Sequence, residues 1–202
     1  KIGIWAGDPA YQPAIQSASG RAENLSALTK SGSPQWGDQI VTKGELSTDD
    51  QNAYVVDRIG IPFNNQYDRG MRIGAFDFFA DGKSAAVCTW DGDVWIVSNI
   101  DDQLQKVKWK RFATGLHEPL GLKIVDEKIY TVGDNQITRF HDLNNDGEAD
   151  FLENFNNDWD STEGFHAFCF DLQTDPKGNF YFSMGCPVRA GGAGFERLGR
   201  HH

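Results

Sequence analysis

The chain has 202 residues, with 19 Lys and Arg against 29 Asp and Glu, for a formal charge of -10. That balance argues against a nucleic-acid partner, because a phosphate backbone rewards cationic surfaces. No stretch approaches the roughly 20 apolar residues a membrane-spanning helix needs, and 22 Gly, 14 Phe and 6 Trp with few helical patterns point to a turn-rich all-β protein.

Residues 1–52 are polar and irregular and read as a lead-in segment with little regular structure. Residues 53–202 form the second part. Short alternating or apolar runs then arrive at regular intervals: 54–59, 73–79, 84–90, 93–98 and 107–112, with Asp81-Gly82 and Asp91-Gly92 as hairpin turns. The same grammar returns in 121–125, the turn Asp126-Glu127, 128–132 and 136–140. A third round opens with 167–172, turns at Lys177-Gly178 and continues with 179–183.

Gly82, Glu127 and Gly178 are spaced by about 45 and 51 residues, close to the period of a four-stranded propeller blade. A β-sandwich meander also produces short strands at such intervals, but it does not require one opening to return every four strands. The expected fold is therefore a partial β-propeller of about two and a half blades behind an irregular lead-in. Further blades would be needed to close such a ring.

Between the run 136–140 and the strand-like 149–155 lies Asp142-Leu-Asn144-Asn-Asp146-Gly147-Glu148-Ala-Asp150-Phe-Leu-Glu153, which fits the D-x-N-x-D-G-x5-E pattern of a calcium loop. Calcium takes six to eight hard oxygens, so alternate residues must turn carboxylates or amides inward while glycine allows the sharp turn. Asp142, Asn144, Asp146 and Asp150 would supply side chains, Glu148 its carbonyl, and Glu153 the closing carboxylate. The flanks read as strands, which makes this a loop in a β-hairpin and not an EF-hand. An Asn/Asp/Gly turn whose side chains cap their own backbone is the alternative. Calcium would favour a periplasmic or secreted location, where millimolar levels fill weak single loops.

Cys88, Cys169 and Cys186 form no C-x-x-C motif. The first two sit in apolar runs and read as packing thiols, whereas Cys186, in a Gly-Cys-Pro loop, reads as the more reactive one. Trp90, Trp95 and Trp109 read as packing aromatics.

The run from Phe78 to Val97, followed by Trp109-Lys-Arg-Phe-Ala-Thr-Gly-Leu116 and Pro119-Leu-Gly-Leu122, resembles a family of large bacterial membrane-bound dehydrogenases, frequent in planctomycetes. Their propeller is similar to that of the soluble PQQ-dependent sugar dehydrogenases. The resemblance extends from about Asp49 to the last residue and implies a fragment of a quinoprotein that oxidises a sugar or alcohol and passes electrons to a c-type cytochrome. It also places His166, ahead of an innermost strand, where the family's base removes the hydroxyl proton, a role that suits an imidazole. The residues after His166 are more apolar than the family pattern, and a hydrogen-bonded structural histidine is the other reading. His117, His141 and His201 have weaker claims. A non-catalytic propeller that binds a glycan or a protein is the alternative function.

Overall fold

The computed structural model describes residues 7–8, 24–48, 51–159 and 168–185. The chain divides into two compact units, Lys1–Gly32 and Ser33–His202. The described part of the first is a 3-10 turn over Leu25–Thr29, whose first turn is capped by Asn24: its Oδ1 accepts from Ser26 N at 3.1 Å.

In the second unit every named element is a strand. Five make one antiparallel sheet in the order β1 (Ile40–Thr42), β5 (Val107–Ala113), β4 (Val94–Ser98), β3 (Ala85–Thr89), β2 (Ile73–Phe78). Four make a second, in chain order: β6 (Gly121–Val125), β7 (Lys128–Val132), β8 (Ile137–His141), β9 (Phe151–Asn156). A hairpin of β10 (Cys169–Thr174) and β11 (Phe180–Met184) follows. The all-β expectation holds, and the turns fall where Gly and Asp predict them. Gly82, Gly92 and Gly178 take φ of 62°, 96° and 82°, and Asp126-Glu127 takes 49° and 59°, the doubly left-handed geometry of a tight hairpin turn.

Two expectations change. The lead-in contributes β1, because Ile-Val-Thr at 40–42 is a β-branched triplet too short to show a period, yet it finds the free edge of β5 and pairs Ile40 with Trp109. The strand expected over 54–59 is absent apart from a bridge between Arg58 and Glu45. Tyr54 is 87% exposed and Val55 and Val56 are exposed as well, so these side chains have no surface to cover, and propensity alone does not hold a strand.

The layers stack in chain order. Ala86, Cys88, Val94 and Phe112 of the first sheet share a core with Leu122, Ile129 and Phe140 of the second. Tyr130, Val132 and Ile137 on the second sheet's other face pack against Cys169 and Leu172 of the hairpin. The first sheet's far face, with Val87, Trp95, Val97 and Trp109, is covered by Met71, Tyr67, Ile59 and Ile61. β3 is consequently buried along its whole length, which explains why Ala85-Ala-Val-Cys-Thr89 shows no polar alternation.

The first strand of each layer lies close to the next. A Cβ on Gly121 would stand 2.7 Å from the carbonyl oxygen of Asp171, and Asp171 N donates to Leu120 O at 3.2 Å. Asp77 of β2 accepts from Ile124 N at 2.9 Å and meets Lys123 Nζ at 2.9 Å.

Candidate functional site

The loop between β8 and β9 is organised by its own side chains. Asp142 accepts from Asp146 N at 3.2 Å and from Gly147 N at 2.8 Å. Asn144 Oδ1 accepts from Asp146 N at 3.1 Å and its amide donates to Asp146 Oδ2 at 2.9 Å. Asp146 Oδ1 accepts from Glu148 N at 3.0 Å, and Asp150 Oδ2 from Leu143 N at 2.8 Å. Asn145 and Gly147 supply the left-handed turns, at φ 58° and 81°. Four of the six expected ligands, Asp142, Asn144, Asp146 and Asp150, are thus tied into one loop by short-range hydrogen bonds.

The other two are placed differently. Glu148 turns its carboxylate out of the loop, where it accepts from Gln35 N at 2.6 Å and Trp36 N at 2.8 Å, with Lys110 Nζ at 3.9 Å. That orientation is compatible with its expected role through the carbonyl. Glu153 lies opposite Arg139 in β8, and its carboxylate receives Arg139 Nε at 2.7 Å and stands 2.6 Å from His141 Nε2. His141 first, and then Arg139, hold it below the usual carboxylate range. Lys110 Nζ donates to the Asp146 carbonyl. Among the described residues no group of three or more His, Cys, Asp or Glu side chains is arranged to hold a metal. The donor chemistry, all oxygen on one glycine-turned loop, suits a hard cation, but as a set of four side chains and one carbonyl with Glu153 engaged elsewhere.

Beside this loop lies a polar hub that sequence reasoning did not find. Asp93 is fully buried and accepts from Arg111 Nη2 at 2.7 Å, Arg69 Nε at 3.2 Å and Thr114 Oγ1 at 2.5 Å. Arg111 also stacks its guanidinium on Trp36 at 4.9 Å and on Tyr67 at 5.1 Å. Its Nε is buried without a hydrogen-bond partner among the described residues. Residues distant in sequence converge here, and no short motif announces them.

At one end of the sheets the turn between β3 and β4, the turn between β7 and β8, and the crossover from β5 to β6 come together. Leu116 N donates to Gly92 O at 3.1 Å, and a Cβ on Gly133 would stand 2.6 Å from His117 O. Arg72 pairs with Asp91 at 2.6 Å and lies over the Trp90 ring at 4.9 Å; Trp90 in turn meets Phe168, just ahead of β10, edge-on at 5.5 Å. Trp90 therefore links the residues just ahead of β2 and β10, whereas Trp95 and Trp109 are core residues as expected.

Arg72 hydrogen-bonds Asp91 and lowers its pKa, while burial raises that of Asp134. Because Asp91 is depressed in the folded state, its pairing stabilises the fold above the ordinary value of 3.8 and is lost as pH falls through the lower folded value. Acid titration of the melting temperature is expected to show a smaller loss below that value in Arg72→Met than in the parent; identical acid profiles would remove the pair from the account.

Cys88 and Cys169 are free and buried, and burial pushes their thiols up to about 12 and about 11, which suits packing and not reactivity. His166, Cys186 and His201 lie outside the described residues. No protein-family model, no curated protein and no solved structure matches this chain.

Proposed function

We propose that this chain is part of an extracytoplasmic β-propeller, stiffened by one calcium ion in the β8–β9 loop, that binds a glycan or protein partner through the end carrying Trp90, Arg72 and His117. The observation that supports it best is the recurrence of one antiparallel meander in stacked layers, with the first strand of each layer set against the first strand of the next. Loops gathered at one end of such a scaffold are free to vary without disturbing the core, which is why binding residues concentrate there. Asp142, Asn144, Asp146 and Asp150 would hold the ion with the Glu148 carbonyl, and water would complete the shell.

The quinone-dependent oxidation implied by resemblance is the competing reading. PQQ carries three carboxylates, and the cations at this end are engaged: Arg72 by Asp91 and Arg69 by Asp93, with Glu118 and Asp134 alongside. The described residues do not fit that anion. Absorbance change and dye reduction on PQQ titration of the protein with its remaining blades would restore the dehydrogenase, with His166 as base and a c-type cytochrome as acceptor; silence supports the binding module.

The calcium element has its own test. Calorimetry is expected to find one calcium bound by the parent, with a rise in melting temperature, and neither effect in Asp146→Ala. A folded parent that ignores calcium would reduce the loop to a self-capped polar turn and remove the argument for an extracytoplasmic home.

A further inference from the structure

A cavity of about 220 Å³ opens at the same end, in the seam between the two larger sheets. Its floor is Thr131, which pairs across β7–β8 with Thr138 and across β6–β7 with Leu122, a member of the core the two sheets share. His117 on the crossover and Asn135 on the β7–β8 turn form its rim, and Leu116 and Leu152 give it an apolar side.

Thr131 is 1% exposed, yet its hydroxyl has no hydrogen-bond partner among the described residues, and neither do the side chains of Asn135 and His117. The fully buried unpaired polar atoms among the described residues are Trp95 Nε1 and Arg111 Nε, and the Thr131 hydroxyl is not one of them, so it reaches the cavity and can meet water or a ligand there. Thr138 already accepts from Gln136 Nε2 at 2.8 Å, which leaves its hydroxyl proton to donate into the cavity.

The lining selects the ligand. Among the described residues no Lys, Arg, Asp or Glu lines the cavity, so a carboxylate, phosphate or ammonium group would find no ion-pair partner in its described wall. No Phe, Tyr or Trp among the described residues lines it either, so a flat aromatic ligand would have no described ring to stack upon. What remains are hydroxyl, amide and imidazole groups that between them both donate and accept, beside aliphatic carbon. Alcohol hydroxyls have that same two-way character, and their C–H faces match leucine. The volume lies below the roughly 300–1,000 Å³ of sites for drug-sized molecules, which suits a small ligand.

We propose that this seam cavity binds a small uncharged polyol, held by the hydroxyls of Thr131 and Thr138 and at its mouth by Asn135 and His117. The inference rests on reading this end as the binding end, and it is independent of the calcium loop.

The test is a saturation-transfer NMR titration of the intact chain with xylitol and with D-glucose, and with acetate and ethylammonium as charged controls. Xylitol or glucose is expected to bind saturably in the millimolar range and the charged probes not to bind. Thr131→Val, which replaces the hydroxyl with a methyl at constant shape, and Asn135→Ala, on the exposed turn, are each expected to weaken binding at least tenfold. The Asn135 variant keeps the test usable should the buried substitution disturb folding. Absence of saturable polyol binding, binding unchanged in both variants, or tighter binding of either charged probe would overturn the proposal. Calcium calorimetry on the same samples reads the other proposal separately: calcium binding with polyol silence overturns this inference alone.

Discussion

Asp93→Ala is expected to lower the unfolding free energy by about 3–5 kcal/mol, the usual cost of breaking a buried ion pair from one side. The carboxylate is fully buried and is the common acceptor for Arg111, Arg69 and Thr114. Its removal strands Arg111, whose side chain is only 10% exposed, as an uncompensated buried cation. Urea denaturation of the parent, Asp93→Ala, Arg111→Met and the double variant gives the coupling directly. The double variant is expected to be more stable than Asp93→Ala alone, because it removes the orphaned charge together with its partner. If the single loses less than about 1 kcal/mol, the hub is hydrated in solution and does not anchor Trp36 and Tyr67.

Gly121→Val is the second large effect expected, a loss of about 3 kcal/mol, at the upper end of the usual cost of forcing extra methyl groups into a packed site. A Cβ there would stand 2.6 Å from Val132 Cγ1 and 2.7 Å from the backbone of Asp171, and backbone cannot rotate aside as a side chain can. The substitution pushes β6 away from β10, so the core of Tyr130, Val132, Cys169 and Leu172 should loosen first. Hydrogen exchange is expected to quicken in β10 and β11 while β3 and β4 stay protected. Uniform exchange across both layers, or unchanged stability, would show that this close approach does not hold the layers together. Gly82→Ala is a useful contrast: nothing lies within 4 Å of its Cβ position, and its cost comes only from φ of 62°.

The strands were legible where local chemistry decides them. β6 and β7 occupy the predicted residues because Gly121-Leu-Lys-Ile-Val125 and Lys128-Ile-Tyr-Thr-Val132 are β-rich runs separated by a turn that only two left-handed residues can make. β3 and β4 follow in the same way from Asp91-Gly92. The run 54–59 shows the limit of that logic. It has the composition of a strand, but its side chains stay exposed and it meets only Glu45 through Arg58, while the shorter triplet 40–42 takes the edge of β5.

The loop at 142–150 divides along the same line. Its polar spacing and its glycine determine how Asp142, Asn144, Asp146 and Asp150 fold back on local amides, since every partner lies within a few residues. Glu153 is formally part of that pattern, but β-sheet register sets it opposite Arg139, and pairing across strands takes its carboxylate away from the loop. Glu148 is drawn outward by backbone amides at Gln35 and Trp36, which no reading of the loop itself would anticipate.

Composition, period and turn chemistry by themselves determined an all-β chain of repeated hairpins, because those signals act between near neighbours. Only the tertiary structure decided the Asp93–Arg111 hub, the use of Trp90 as a link between layers, and the seam cavity under Thr131. Each depends on groups brought together from segments far apart in the chain, where burial turns an ordinary Asp into a costly polar atom that must find its partner across the fold.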